Sequence, residues 1–129
     1  MIVLDTHVLI WFALEPERLS ARAVATIGEE RERAISVITG QEVAYLVARK
    51  RVDLDRPPKA WIGDVLGTLD GRAVPTTMAI ALRAGSLDPT EFHGDPIDRL
   101  IYATAIEHDA QLVSADARMR EADPTRVVW

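Results

Sequence analysis

The sequence contains no cysteine and few aromatic residues, which make up 5% of its 129 residues. The lack of cysteine excludes disulfide bridges, thiolate zinc sites and cysteine nucleophiles. Any metal ion must therefore be held by oxygen atoms or imidazole nitrogens. Because no aromatic residue lies within a run of basic residues, we expect the tryptophans to anchor the core or an interface rather than to stack on bases.

Long hydrophobic runs are also absent. The longest apolar run, Val8 to Leu14, is much shorter than the about 20 residues that cross a membrane as a helix. The apolar start Met1–Leu4 is interrupted at once by Asp5 and follows no basic segment, unlike a secretory signal. We expect a cytoplasmic protein that does not associate with a membrane.

The sequence has little positive charge. With 20 acidic and 15 basic residues its formal net charge is −5, which disfavours binding of nucleic acid across the whole surface but leaves room for a local basic groove. All basic residues except Lys50 and Lys59 are arginines, whose guanidinium groups fit phosphate. A coding sequence rich in G and C would give the same bias, and arginine serves surface ion pairs equally well.

The length fits one domain, which we expect to span residues 1–129. Short β-rich apolar segments alternate with longer segments of helical character, and this alternation predicts an α/β fold with a mostly parallel sheet of four to five short strands. The predicted strands are Met1–Leu4, Ala34–Val37, Ala73–Val74, Gln111–Ser114 and Arg126–Trp129. About seven helices should flank the sheet, at Thr6–Leu14, Ala21–Arg33, Thr39–Lys50, Pro57–Thr68, Thr76–Ala84, Pro96–Asp109 and Ala115–Glu121.

Four carboxylates stand just after predicted strands or near the starts of predicted helices. Asp5 and Asp116 follow the first and fourth strands, Glu42 lies one turn into the helix after the second strand, and Asp98 begins the helix before the fourth. The carboxyl ends of parallel strands meet at one edge of a sheet, where ligands bind. The sequence therefore predicts that these four acids converge on one rim.

Each acid also has a purely structural interpretation, because acidic residues are favoured at helix starts. Asp5 can cap the first helix. The segment from Thr39 to Glu42 has capping-box spacing, and the segment from Asp95 to Asp98 is a looser version of it. Asp116 can cap the last helix and pair with Arg120 four residues on.

Against this interpretation, neither Glu42 nor Asp98 has a basic partner on its own helix, and both have apolar neighbours. Several carboxylates in one pocket repel one another, and a divalent cation is the usual remedy. Oxygen ligands select hard cations, Mg²⁺ or else Mn²⁺, which points to phosphoryl chemistry. Nucleotide cofactors are not expected, because the sequence has no phosphate-binding loop and no G-x-G-x-x-G motif.

Four motifs follow one another along the chain, at Leu4–His7, Ser36–Glu42, His93–Arg99 and Leu112–Asp116. Their order resembles that of PIN-domain ribonucleases, and specifically of VapC-type toxins from bacterial toxin–antitoxin pairs. The resemblance covers nearly the whole chain. The third motif leads into the small residues Ala103, Thr104 and Ala105.

The resemblance implies a metal-dependent endoribonuclease that hydrolyses phosphodiesters in single-stranded or looped RNA with a metal-activated water. The catalytic and metal-binding positions would be Asp5, Glu42, Asp98 and Asp116. Supporting roles would fall to Thr6, Ser114 and Asp95. A cognate VapB-like antitoxin should bind and silence the enzyme, and the toxin should form a homodimer.

Two basic residues near the third motif have open interpretations. Arg99 could hold a substrate phosphate by a bidentate fork or form an ion pair on the helix surface. His93 could contact the substrate or a metal-bound water, or it could simply be an exposed loop residue. The alternative for the whole protein is a catalytically quiet PIN-like binding module in which the acids serve only as helix caps.

Overall fold

Strands and helices alternate along the chain in a computed structural model that describes all 129 residues. The five strands are β1 (Ile2–Leu4), β2 (Arg33–Ser36), β3 (Gly71–Val74), β4 (Gln111–Val113) and β5 (Val127–Val128). The seven α-helices are α1 (Thr6–Leu14), α2 (Ala21–Glu29), α3 (Ile38–Ala48), α4 (Pro58–Leu69), α5 (Met78–Ser86), α6 (Pro96–Glu107) and α7 (Ala117–Ala122). A 3-10 turn at Pro16–Arg18 follows α1.

The strands form one sheet in the order β3-β2-β1-β4-β5, and every neighbouring pair is parallel. The central strand β1 pairs Val3 with Ala34 on one side and with Leu112 on the other. From β1 the chain first builds outward through β2 and β3, and then returns to the other side of β1 to place β4. Ligand crevices form at such a reversal of strand order, beyond the carboxyl ends of the strands.

Both faces of the sheet are covered, as expected for parallel strands. Alternate residues of β1 point to opposite faces: Leu4 packs into a core with α1, α3 and α4, whereas Val3 packs into a core with α6 and α7. All three residues of β1 are buried. This two-sided burial explains why the strand reads as a continuous apolar run, and it fixes the position of the strand end that carries Asp5.

The predicted fold class is confirmed, and α1 has the predicted bounds. The prediction of Ala21–Arg33 as one helix was wrong at its end, because Glu30 is extended and Arg33 already belongs to β2. The second strand ends one residue before Val37, whose backbone is helical. The remaining predicted elements are present, with ends that differ by a few residues, and no helix is long and apolar enough to cross a membrane.

The prediction of a capping box at the start of α3 was wrong. Val37 precedes this helix without any side-chain cap, and Thr39 lies inside the first turn, fully buried. The backbone turns into the helix directly from β2, so no capping position is left for Thr39. The carboxylate of Glu42 is therefore not used to close the helix start.

Candidate metal centre

The four acids predicted from the strand ends line one open cavity at the carboxyl edge of the sheet, with a volume of about 370 Å³. A larger groove lies elsewhere, between α1 and α4, but it contains none of these acids. The eight residues around the smaller cavity are Asp5, His7, Trp11, Glu42, Asp95, Asp98, Ala115 and Asp116.

Asp5 is the most deeply buried of the four acids, with 6% of its surface exposed. One carboxylate oxygen accepts a hydrogen bond from the backbone N–H of Thr6 at 2.7 Å, and the other accepts one from Ser114 Oγ at 2.6 Å. Burial raises the pKa of Asp5, while the bond from Ser114 opposes this rise. Asp5 thus caps α1, as the structural interpretation expected, and at the same time presents a fixed carboxylate to the cavity.

Ser114 also connects Asp5 to Asp116. Its hydroxyl oxygen accepts a hydrogen bond at 3.1 Å from the backbone N–H of Asp116 while its proton goes to Asp5. The predicted supporting residues Thr6 and Ser114 are both fully buried next to the acids. One hydroxyl therefore couples the ends of β1 and β4.

Glu42 reaches the cavity from α3 and has an unsatisfied buried oxygen, Oε2, which accepts no hydrogen bond. A contact of 3.4 Å between the hydroxyls of Thr6 and Thr39 joins α1 to α3 and brings the Glu42 helix beside Asp5. Burial raises the pKa of Glu42, and the nearby Asp5 charge contributes in the same direction. A buried carboxylate oxygen without a donor is costly unless a cation binds it.

Asp95 and Asp98 have different tasks in the first turn of α6. Asp95 Oδ1 accepts hydrogen bonds from the backbone N–H groups of Ile97 and Asp98, at 2.9 and 3.1 Å, and so caps the helix. Asp98 makes no reciprocal bond to the Asp95 backbone, so the looser capping box is only half present. Burial, followed by repulsion from Asp5, Asp95, Glu42 and Asp116, raises the pKa of Asp98 to about 7.

Asp116 caps α7, and its ionised form is favoured more than that of the other three acids. Burial opposes its ionisation, but hydrogen bonds from the backbone N–H groups of Met119 and Arg118 outweigh burial and lower its pKa. The nearest guanidinium is that of Arg118, at 3.6 Å. The predicted pair with Arg120 is absent, since capping turns the carboxylate toward the helix start.

His93 is largely buried beside two of the acids, so its interpretation as an exposed loop residue was wrong. Its side chain is only 10% exposed, and Nε2 lies 3.4 Å from Asp98 Oδ2 and 3.7 Å from Asp116 Oδ2. Candidate ligand atoms of these three residues lie within 4.8 Å of one another. Neither carboxylate is aligned for a hydrogen bond with Nε2.

Arg99 does not point into the cavity. Its guanidinium donates to the backbone carbonyls of Ala84, Leu87, Phe92 and His93, at distances from 2.6 to 3.4 Å. A bidentate phosphate contact would require several of these bonds to break. The predicted substrate role therefore finds no support in the geometry, and neither does a surface ion pair.

Three residues near the acids were not predicted. His7 and Trp11 line the cavity from α1, with their ring centroids 5.9 Å apart, and Arg118 approaches Asp116 from α7. The spacing of four residues between His7 and Trp11 places them on one helix face. Their position just after Asp5 was the available signal that this face borders the site.

A family model described as the PIN domain matches residues 2–124. The chain belongs to the PIN domain family. Ribonuclease VapC22 from Mycobacterium tuberculosis is 41% identical over 130 aligned positions, which cover 99% of this PIN domain and 98% of that protein.

Solved structures have the same fold at lower identity. A toxin–antitoxin complex from Klebsiella pneumoniae contains a chain with a TM-score of 0.68 and 24% identity, over 100% of this PIN domain and 97% of that chain. A chain of FitAcB from Neisseria gonorrhoeae has a TM-score of 0.68 and 24% identity, over 98% of this PIN domain and 96% of that chain.

The donor set of this PIN domain fits a divalent metal ion. Four carboxylates from β1, α3, α6 and the start of α7 face one cavity, and the unsatisfied Glu42 Oε2 is the buried atom that a cation would satisfy. Burial raises the pKa values of Asp5, Glu42 and Asp98, and repulsion from neighbouring carboxylates adds to each rise. Oxygen donors of this kind favour hard cations.

Proposed function

We propose that this protein is a metal-dependent endoribonuclease and the toxin of a toxin–antitoxin pair. The observation that carries the proposal is the convergence of Asp5, Glu42, Asp98 and Asp116 at the point where the strand order reverses. The 41% identity to a protein named as a ribonuclease supports the choice of RNA as substrate. Residues 1–129 would act as one domain, because both cores pack on the same sheet.

The proposed ion is Mg²⁺, with Mn²⁺ as the alternative, held by the four acids Asp5, Glu42, Asp98 and Asp116. When bound, such an ion supplies Lewis-acid chemistry: it lowers the pKa of water and stabilises charge on phosphate oxygens. Without it, four converging carboxylates would repel an RNA phosphate, so the cavity favours a phosphodiester only in the presence of the cation.

The protein side chains prepare the site rather than donate protons to the substrate. Ser114 and the backbone N–H of Thr6 hold both oxygens of Asp5, and the N–H groups at the start of α7 keep Asp116 ionised. Preorganised carboxylates avoid reorganisation when charge develops. Hydrolysis by water would leave a 5′-phosphate and a 3′-hydroxyl without using the 2′-hydroxyl, so preference for RNA would come from the shape of the groove and from contacts to the sugar.

A VapB-like antitoxin and a second copy of the toxin are the proposed protein partners. The solved structures of similar fold include a toxin–antitoxin complex, which supports the first partner. An open groove of about 790 Å³ between α1 and α4 offers apolar side chains to a partner, among them Phe12, Leu14 and Leu54. Most of the apolar surface of α1 is otherwise used internally, since Val8 and Leu9 are fully buried.

The nuclease proposal is tested by incubating the purified protein with a mixed structured RNA in Mg²⁺, Mn²⁺ or EDTA and mapping the product ends. We expect cuts that carry a 5′-phosphate, require the metal and disappear in Asp98→Asn. If wild type and Asp98→Asn are equally inert, or equally active through contamination, the binding-module alternative replaces the nuclease.

The partner proposal is tested separately by co-purification with the product of the neighbouring gene. We expect a complex that suppresses RNA cleavage. Failure to form any complex would contradict the toxin assignment while leaving the nuclease result intact.

A further inference from the structure

His93 occupies an unusual position between two acids of the site. Its side chain is nine-tenths buried, and Nε2 faces Asp98 Oδ2 at 3.4 Å and Asp116 Oδ2 at 3.7 Å. No other basic nitrogen lies within 4.0 Å of an Asp98 oxygen. Nε2 has no aligned hydrogen-bond partner, so this buried polar atom lies beside the two carboxylates and is not used elsewhere.

The other ring nitrogen indicates where the imidazole carries its proton. Nδ1 accepts a hydrogen bond from the backbone N–H of Asp95, at 3.4 Å. A neutral imidazole that accepts at Nδ1 carries its hydrogen on Nε2. Histidines that ligate metals instead donate their second ring N–H to a carboxylate, carbonyl or water. His93 therefore turns an N–H donor toward the acids, rather than a lone pair.

The loop that carries His93 is held by Arg99 and by stacked rings. The Arg99 guanidinium donates to the carbonyls of Phe92 and His93 in this loop, and also to those of Ala84 in α5 and Leu87 directly after it. The Phe92 ring lies between those of His93 and Tyr102, with centroid distances of 4.9 and 4.6 Å. These contacts fix the imidazole without using Nε2.

We propose that His93 is a positioning residue whose Nε2–H attracts the nearby Asp98 and Asp116 oxygens and so holds both carboxylates toward the divalent ion without binding the ion, and that Arg99 acts through it. This inference rests on the proposed metal site. It keeps the coordination of the ion entirely with oxygen atoms, which favours Mg²⁺ and Mn²⁺ over softer cations. It also gives the motif residue Arg99 a task that requires no contact with RNA.

The first measurement is Mn²⁺ affinity by titration calorimetry of wild type, His93→Ala and His93→Gln, with His108→Gln on the exposed end of α6 as the matched control. Loss of a group that orients a metal ligand weakens metal affinity by about 10-fold to 100-fold. We expect that loss in His93→Ala, with recovery to within a few-fold of wild type in His93→Gln, whose amide N–H can reach the same place. His108→Gln should bind like wild type.

The second measurement detects nitrogen bound to the ion. Electron spin echo envelope modulation of the Mn²⁺-loaded wild type should give no imidazole ¹⁴N coupling. A ¹⁴N coupling that disappears in His93→Gln would make His93 a ligand and overturn the proposal. Equal Mn²⁺ affinity of His93→Ala and wild type would overturn it as well, while the metal site would stand. A wild type that binds no Mn²⁺ would instead remove the proposed metal site and this inference together.

The contribution of Arg99 is tested by a double-mutant cycle. Lysine cannot span the carbonyls that the guanidinium joins, so Arg99→Lys should weaken Mn²⁺ binding as His93→Ala does. The double variant should bind no more weakly than His93→Ala alone, because residues that act through one another are not additive. Circular dichroism of each variant checks that the fold is retained. Additive losses in folded protein would contradict an action of Arg99 through His93.

Discussion

Among the acids of the cavity, ionisation differs because burial and hydrogen-bond donors act with different weight at each carboxylate. Burial raises the pKa values of Asp5, Glu42 and Asp98. At Asp116 burial acts in the same direction, but two backbone N–H donors outweigh it and the pKa is lowered. The pKa of Asp5 stays raised although both of its oxygens accept hydrogen bonds. We expect a cation to contribute most where donors do not offset burial.

Asp98→Asn is the most direct test of a single acid. The amide keeps the shape of the side chain but removes the charge, so we expect RNA cleavage to fall by about a hundredfold or more, which corresponds to about 3 kcal/mol of transition-state stabilisation. The measurement is kcat/KM at saturating Mg²⁺. The ion-free variant should be at least as stable as wild type, because a repelled, partly buried charge has been removed.

Asp109→Asn is the control for that substitution. Asp109 lies beyond the other end of α6, and its side chain is 99% exposed. Its backbone has a φ of 47°, which asparagine adopts readily. We expect unchanged cleavage. An equal loss of activity in both variants would contradict a specific role for the Asp98 charge.

The stability of the ion-free protein should depend on pH through Asp98. Its pKa in the folded protein is about 7, against an ordinary value of 3.8, so between these values the folded state binds a proton that the unfolded state releases. Stability from this group is therefore present at low pH and is lost as pH rises toward 7. Urea unfolding in metal-free buffer should give a higher free energy of unfolding at pH 5 than at pH 8, relative to Asp98→Asn.

Metal binding should have the opposite pH dependence. The ion binds ionised carboxylates. Because Asp98 holds a proton below about pH 7, binding of the ion must release that proton. Mn²⁺ affinity measured by calorimetry should rise from pH 5 to pH 7 and then level off. A flat affinity over this range would contradict the participation of Asp98 in the site.

At the scale of single elements, α6 begins with one acid that caps and another that faces the cavity. Asp95→Ala removes the acceptor for two backbone N–H groups and should lower the free energy of unfolding by about 1 kcal/mol. Asp95→Asn preserves a capping oxygen and should stay close to wild type in thermal unfolding. Equal destabilisation by both substitutions would mean that the charge of Asp95, rather than its cap, is what matters.

The helix starts also mark the limit of local sequence patterns. The sequence alone could not distinguish a cap from a ligand at Asp5 or Asp116, because both tasks require an acid just after a strand. In the structure each of these residues caps its helix with one or more contacts and still lines the cavity. Glu42 differs, because α3 begins earlier than the capping-box pattern predicted. Its carboxylate therefore does not cap the helix.

For the whole molecule, an ion in the cavity should stabilise the fold, because it joins residues from β1, α3, α6 and the start of α7. At a free ion concentration of about 100 times Kd, the expected gain is about 2.7 kcal/mol, or several degrees in Tm. Differential scanning fluorimetry with Mn²⁺ and with EDTA measures it. Asp98→Asn should have a smaller shift, and an equal shift in that variant would indicate that the ion binds elsewhere.

The sequence by itself determined the α/β class, the presence of every strand and the identity of the four acids, because alternating apolar segments and acids after strands or near helix starts are local patterns. Tertiary structure decided the strand order that sets β1 beside β4 and the lack of a hydrogen-bond partner for Glu42 Oε2. It also decided that His93 faces Asp98 and that Arg99 bonds backbone carbonyls. These features depend on contacts between residues far apart in the chain. Burial, the distances between charges and the orientation of side chains are set only when the sheet has brought those residues together.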